Sequence, residues 1–402
     1  MTLLRGLALL LATLFIAACG GGGGGSSGSG TLSVKMTDAP AAPEYAEVWV
    51  TVEKVRVHQN DSAGDGDSGW QEIVLDPPRK IELLDLRNGV LAELGQVEVP
   101  AGTYHQFRLV LGDGRTDNEV VLASAPSTRI PLTTPSAQQS GLKLNARPFD
   151  VAAGQTVELV LDFDAARSVV QAGNSGKYIL KPVITVIPVL DAGTVAGSFV
   201  DPVAADGASV SLQSYDAATG EVTVLRATTP SADGGWKLAP VPAGTDYALV
   251  VSKPGFRTLV LTDVTLGVAE TLAVDSITLV PVSIDTSTVP ASAPTMRVAA
   301  GNVAPAEGAL VRALQRVIDG DGSAGDLVVE TAFMNADADT GAFAFDLSVE
   351  PAIVGPLGDT ATDGDNAGVY GFTAEGDSGF GALADVDLGP GDVTNLVIPL
   401  AP

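Results

Sequence analysis

Asp319, Asp321 and Ser323 stand at positions 1, 3 and 5 of a twelve-residue stretch that ends on Glu330. Oxygens at that spacing are what a Ca²⁺ loop offers a hard cation. Position 6, where such a loop turns on glycine, is Ala324, and no helical pattern flanks the segment. The stretch from Asp61 to Glu72 has the reverse fault: Gly66 and Glu72 fall correctly, but Ala63 stands at position 3. A third acidic loop carries Asp359, Asp363, Asp365 and Asn366. Weak Ca²⁺ binding is the one cofactor these residues support, with solvated acidic turns as the alternative. Asp162 and Asp164 lie two apart on a strand pattern, roughly 6.5 Å from one another by the strand rise. They could form a carboxylate pair for glycoside hydrolysis. An ion pair between these acids and Arg108 is the simpler structural reading.

Gly376-Asp377-Ser378-Gly379 copies the surroundings of a trypsin-like nucleophile. A triad also needs a histidine base held by a carboxylate. The chain has only His58 and His105, neither in such a context, so the motif reads as a glycine-rich turn. Two distant histidines make no closely spaced zinc pair. His105 alternates with Phe107 and Leu109, which predicts a hydrogen-bonded histidine in the core. No catalytic, cofactor-binding or metal residue is assigned on these patterns.

Cys19 is the only cysteine among 402 residues. Before it lie Arg5 and an apolar run over residues 7–18, which suits a signal peptide and is too short to span a bilayer. Ile16-Ala17-Ala18-Cys19-Gly20 resembles the lipobox of bacterial lipoproteins. The resemblance implies that residues 1–18 are removed and that the Cys19 thiol carries diacylglycerol, with a further acyl chain on the new amino terminus. Labelling with palmitate would report such acylation. Several acyl chains anchor a protein far more firmly than one. Gly20 in place of aspartate implies the outer membrane if the cell has two. Residues 19–30 then form the lipidated cysteine and a Gly/Ser tether, whose eleven residues after Cys19 span roughly 18 Å.

The formal net charge is −26. So acidic a chain lacks the basic patches that nucleic acid requires, and a single cysteine excludes an intrachain disulfide. Glycine (46) and proline (25) are frequent and only 17% of residues are charged. That balance predicts many short strands joined by turns, in two to four domains.

Residues 31–188 form the first unit. Val48, Val50 and Val52 alternate with polar residues, and Val55 and Val57 continue on the other parity, which predicts a β-bulge near Lys54. A short helix is expected over 83–94. The series LSVKMTDAP, EVWVTVEKVRV, Trp70, LLDLRNG, LGQVEVPAGTYHQFRLVL, GLKL, LVLDFDAARS and YILKPVI resembles the bacterial family called domain of unknown function 4382. The resemblance implies an extracytoplasmic, often lipid-anchored domain of unestablished activity.

Residues 193–281 carry Asp233-Gly234-Gly235-Trp236, Pro242-Ala243-Gly244, Tyr247 and Lys253-Pro254-Gly255-Phe256. These resemble the carboxypeptidase regulatory-like, or transthyretin-like, β-sandwich, and some related sandwiches bind carbohydrate. Residues 282–402 open with a Pro/Ser/Thr/Ala-rich linker. Strands are then expected over 309–317, 327–334, 342–349, 369–373 and 393–400, with a hairpin turn at 335–341. The fold class is all-β: tandem β-sandwiches behind a signal peptide and tether, unfolding semi-independently about linkers near 188–193 and 286–295.

The function expected is that of a lipid-anchored, non-catalytic binding or scaffold protein of the cell envelope. Its partners would be the membrane through its anchor, and an envelope protein or polysaccharide. A polysaccharide-binding accessory lipoprotein is the first alternative, although aromatics are only 5% of residues. An envelope hydrolase is the second.

Overall fold

The computed structural model describes residues 28–38, 45–134, 141–144, 147–172, 177–283, 296–318, 326–364 and 367–402. Among the described residues the regular structure is almost all β-strand, arranged in paired sheets. Cys19 and the segment before it lie outside the described residues, as do Asp319, Asp321 and Ser323.

In the first sandwich one sheet runs in the order Ile184–Pro188, Thr156–Phe163, Ser29–Asp38 and Ala92–Pro100. The long strand Tyr45–His58 organises the facing sheet, pairing with Gln71–Glu82, Gln106–Leu111 and Glu119–Leu122. Val48, Val50 and Val52 are fully buried, and so are Val55 and Val57. The two valine sets share one core because the register shifts between Val52 and Lys54, the expected bulge. An extra residue there flips the parity and returns the second set to the same face.

The helix expected over 83–94 is a single 3-10 turn, Leu83–Leu86. Glu82 caps its start by accepting from the Leu84 and Asp85 amides. Asn88 and Gly89 then adopt left-handed φ values of 56° and 75°, which end any helix, and strand Ala92–Pro100 follows.

The second sandwich packs Gly235–Pro242, Ala192–Ser198 and Thr271–Ala273 against a six-stranded sheet. Trp236 is buried in that core. The stretch 188–193 is no open linker: a 3-10 turn, Val189–Asp191, leads straight into strand Ala192–Ser198, and Asp191 O accepts from the Ala243 amide.

In the third region the five expected strands appear as Leu310–Ile318, Asp326–Asn335, Ala342–Ser348, Val369–Gly376 and Val393–Pro399. Met296–Ala304, Ile353–Pro356 and Gly379–Asp387 join them unannounced by the sequence. Residues 335–341 make a tight turn, with Asp337 Oδ1 accepting from the Asp339 and Thr340 amides. It is not a hairpin: Asp326–Asn335 and Ala342–Ser348 belong to different sheets, so the turn crosses between layers. Ile353–Pro356 leaves its own sandwich to pair in parallel with Leu259–Leu266 of the second. Val317, Val329 and Val354 accordingly share a buried cluster with Val250 and Val260.

Candidate functional site: a buried charge array at the joint of three sandwiches

Strand Thr156–Phe163 delivers Asp162 to the boundary of the first sandwich, and the chain then leaves the strand at Asp164. Asp164 caps the single helical turn Ala165–Ser168: its Oδ1 accepts from the Arg167 amide at 2.9 Å, and its Oδ2 lies 3.0 Å from Arg167 Nε. The guanidinium of Arg167 crosses to the third sandwich and pairs with Glu330. The other oxygen of Glu330 takes Arg312 from the neighbouring strand. Gln213 of the second sandwich grips the same residue by its backbone, accepting from the Glu330 amide and donating to its carbonyl, both at 2.8 Å. Arg312 in turn donates to Val222 O at 2.7 Å. Three sandwiches thus meet at Glu330. Phe333 supports the bridge, with the Arg167 guanidinium carbon 4.3 Å from its ring centroid. Asn335 Nδ2 donates to Val169 O at 3.0 Å beside it.

A second bridge joins the first two sandwiches. Arg226, 3% exposed, pairs with Asp162 and donates to Thr37 Oγ1 at 2.9 Å and to Asp38 O at 3.2 Å. Arg226 Nη1 and Asp162 Oδ1 touch as an ion pair without the geometry of a hydrogen bond. Asp38 Oδ1 accepts from the Ala165 amide at 3.0 Å, while its Oδ2 is buried without a hydrogen-bond partner among the described residues.

Taking carboxylates out of water favours their neutral form. Burial pushes Asp38 well above the usual carboxylate range, against the pull of the Ala165 amide. Burial also raises Asp162, outweighing Arg226. Asp164 is pushed up to about 6, burial outweighing the Arg167 guanidinium and amide, with Asp162 and Glu330 adding repulsion. Arg167 loses hydration on burial, but Glu330 and Asp164 hold it firmly charged, above its ordinary value. Asp164, Arg167 and Glu330 themselves line a cleft of about 640 Å³ between the three sandwiches, together with Tyr45, Tyr178 and Phe333.

The sequence-based candidates are dispersed by this arrangement. Glu330 pairs with two arginines, Arg167 and Arg312, while the other residues of its acidic loop lie outside the described residues. The acids of 61–72 are likewise engaged: Asp65 pairs with Arg108, Glu72 with Arg56 and Lys54, and Asp67 accepts from the Gly64 amide at 2.8 Å. Asp363 accepts from Arg257 at 2.7 Å. Among the described residues, no three His, Cys, Asp or Glu side chains are grouped to hold a metal. Arg108 partners Asp65 rather than Asp162 or Asp164, whose arginines come from outside their own sheet. Asp164 sits past the strand end, so the two acids are not a same-face strand pair.

Ser378 donates to Glu307 at 2.7 Å within the turn joining Val369–Gly376 to Gly379–Asp387. It has no histidine, and a glycine-rich turn describes it. His105 is exposed rather than buried: the strand breaks at this residue, between Gly102–Tyr104 and Gln106–Leu111, and the break shifts the parity. Its amide donates to His58 O, and the His58 ring is held by Ser68 O and the Asn60 amide. Arg226 and Arg167 escaped the sequence reading. The signal for Arg226 was a lone cation inside the largely apolar run VTVLRAT; Arg167, in DAARS, had only the acid three residues before it.

The fold and its joints define a protein of tandem, interlocked β-sandwiches. Residues 29–182 match a family described as Domain of unknown function (DUF4382). No curated protein matches the chain. Among solved structures it is similar to the Bacillus anthracis TIE protein, at 12% identity and TM-score 0.16 over 93% of this chain and 51% of that one. It is also similar to a streptococcal ancillary pilin, at 11% identity and TM-score 0.19 over 93% of this chain and 99% of that one. A leucine-rich repeat protein from Bacteroides thetaiotaomicron aligns at 16% identity and TM-score 0.16 over 64% of this chain and 26% of that one. The chain thus spans about half the length of the first of these structures and about a quarter of the last. At such TM-scores the likeness carries no argument about this molecule.

Proposed function

We propose that this chain is a lipid-anchored protein of the cell envelope, held through Cys19, that acts as a non-catalytic binding or scaffold body. The observation that carries the scaffold reading is the use of the charges at the joints. Asp162, Asp164, Glu330, Arg167, Arg226 and Arg312 are spent on one another across joints between sandwiches. Asp164, Arg167 and Glu330 also line the cleft, but each is held in an ion pair across or beside a joint and so serves as a strut. The anchor rests on the lipobox residues.

Palmitate labelling with fractionation tests the anchor. The wild type is expected to take up label and partition with membranes, and Cys19→Ser to lose both. Label retained by Cys19→Ser overturns the anchor. The non-catalytic reading is tested by incubating the full chain with a panel of envelope polysaccharides. Turnover by the wild type that Asp164→Asn abolishes, in a variant that stays folded, overturns it.

A further inference from the structure

Three sheet edges open on the cleft between the sandwiches. Residues 330–335 line it in unbroken succession. Side chains of a strand alternate between two faces, so a wall of successive residues looks onto the strand's edge. Strand Asp326–Asn335 is indeed the end strand of its sheet. So is Ala342–Ser348, which adds Ala344, Phe345 and Asp346 to the wall, and so is Val169–Ala172, which adds Val169 and Gln171. An end strand turns a row of backbone N–H and C=O groups away from its sheet. Some of these are answered singly. The Gln213 carboxamide meets the amide and carbonyl of Glu330 as a neighbouring strand would. The Ala344 amide donates to the Met334 sulfur, a weak acceptor, at 3.3 Å. Val169 O accepts from Asn335 Nδ2. Among the described residues, no hydrogen bond joins the backbone of residues 331–335 to anything but the paired strand Leu310–Ile318.

We propose that the cleft binds an extended peptide of a partner protein, about five residues long and carrying a basic side chain, which adds as a strand along the edge at residues 331–335. A strand of that length spans roughly 13 Å between its end Cα atoms. The cleft volume of about 640 Å³ falls inside the usual range for a bound ligand, about 300–1,000 Å³. Main-chain pairing along the open edge supplies affinity, and the walls select alternate side chains. Met334 and Tyr45 offer apolar contact. Ser209 and Ser252, directly opposite one another on the second sandwich, leave room because they are small. The charge preference comes from Asp346. Asp164, Arg167 and Glu330 are spent on one another, whereas Asp346 is exposed and has no ion pair among the described residues. That carboxylate, in a chain of net charge −26, favours a basic occupant over an acidic one. A sugar fits less well, because Phe333 gives its ring face to Arg167 while Tyr178 and Phe345 are buried. This site rests on the binding reading above and not on the anchor.

A phage library of random octapeptides is panned against the immobilised full chain, and an enriched peptide is then synthesised. It is expected to carry Lys or Arg and to slow hydrogen exchange at the amides of residues 331–335. Methylating its alternate backbone nitrogens is expected to weaken binding about tenfold or more, since each methyl removes a donor. Asp346→Lys, at an exposed position, is expected to weaken the same peptide about tenfold while its far-UV spectrum stays that of the wild type. Failure to enrich any peptide, unchanged binding after N-methylation, exchange slowed only elsewhere, or full binding by Asp346→Lys overturns the proposal. An envelope polysaccharide that slows exchange at residues 331–335, where no peptide does, gives the cleft to sugar and overturns it as well. None of these results bears on palmitate labelling at Cys19, so the anchor and the cleft fail separately.

Discussion

Arg226 shows how one side chain can bind two domains together and still be fragile. It is buried with Asp162 and the Asp38 carbonyl, so no water replaces a lost partner. Removing one member of such a pair leaves an uncompensated buried charge. Arg226→Met is expected to cost about 3–5 kcal/mol in denaturant unfolding. Arg226→Met combined with Asp162→Leu is expected to recover most of that loss, because an apolar pair of similar volume needs no desolvated charge. Recovery in the double variant separates a buried pair from general packing damage. Little of this was legible from the sequence. The pattern shows Asp162 as an acid on a strand and offers Arg108 as its partner. The true partner lies 64 residues further along, in a different sandwich, and no local spacing connects the two.

Strands were more legible than joints, since alternation is a local signal. The valines around Lys54 announced their bulge by changing parity, and the structure uses it as the parity required. The five expected strands of the third region are also present. Apolar density misled at Leu83, Leu84 and Leu86, where three buried leucines fit one 3-10 turn as well as a helix. Ile353–Pro356 is four residues long and carries a glycine and a proline, too little pattern to distinguish a strand from a loop. The turn at 335–341 was correctly placed and wrongly connected, because turn chemistry does not say which sheet receives the next strand. That turn makes its own prediction. Gly341 has φ 68°, and a Cβ there would lie 2.6 Å from Val303 O. Gly341→Ala is therefore expected to lower stability by about 1–3 kcal/mol, checked by thermal denaturation.

At the scale of the molecule, the joints bear on both cooperativity and pH. The second and third sandwiches share an apolar cluster and a sheet, and charge bridges join the first sandwich to both. Semi-independent unfolding, the sequence-based expectation, gives way to a different one: calorimetry of the full chain should show one dominant transition, with no early loss of the third region. The pH response follows from acids whose folded pKa lies above the unfolded value. Their contribution to stability is fully present below the unfolded pKa and is lost as pH rises through the folded one. For Asp164 that window runs from about 3.8 to about 6. Stability is therefore expected to increase by about 1 kcal/mol on going from pH 7 to pH 5 from this residue alone, in denaturant titrations. Asp38 and Asp162 shift in the same direction. Asp164→Asn should flatten its share of the slope. All-β architecture was plain from composition and turn residues, whereas the mutual dependence of the sandwiches was not, because every contact that creates it is long-range.

The parallel pairing of Leu259–Leu266 with Ile353–Pro356 also sets a timetable. As the chain appears from its N-terminal end, the second sandwich is nearly complete while one strand still shows an unpaired edge. Its partner emerges about ninety residues later, and pairing must close a loop of that size. During that interval the edge is a template for any other strand, including the same edge on a neighbouring nascent chain. A chain ending at residue 295 freezes the molecule at that moment. It should sediment as dimers and larger species at concentrations where the full chain does not, and a peptide covering residues 351–364 should return it toward the monomer.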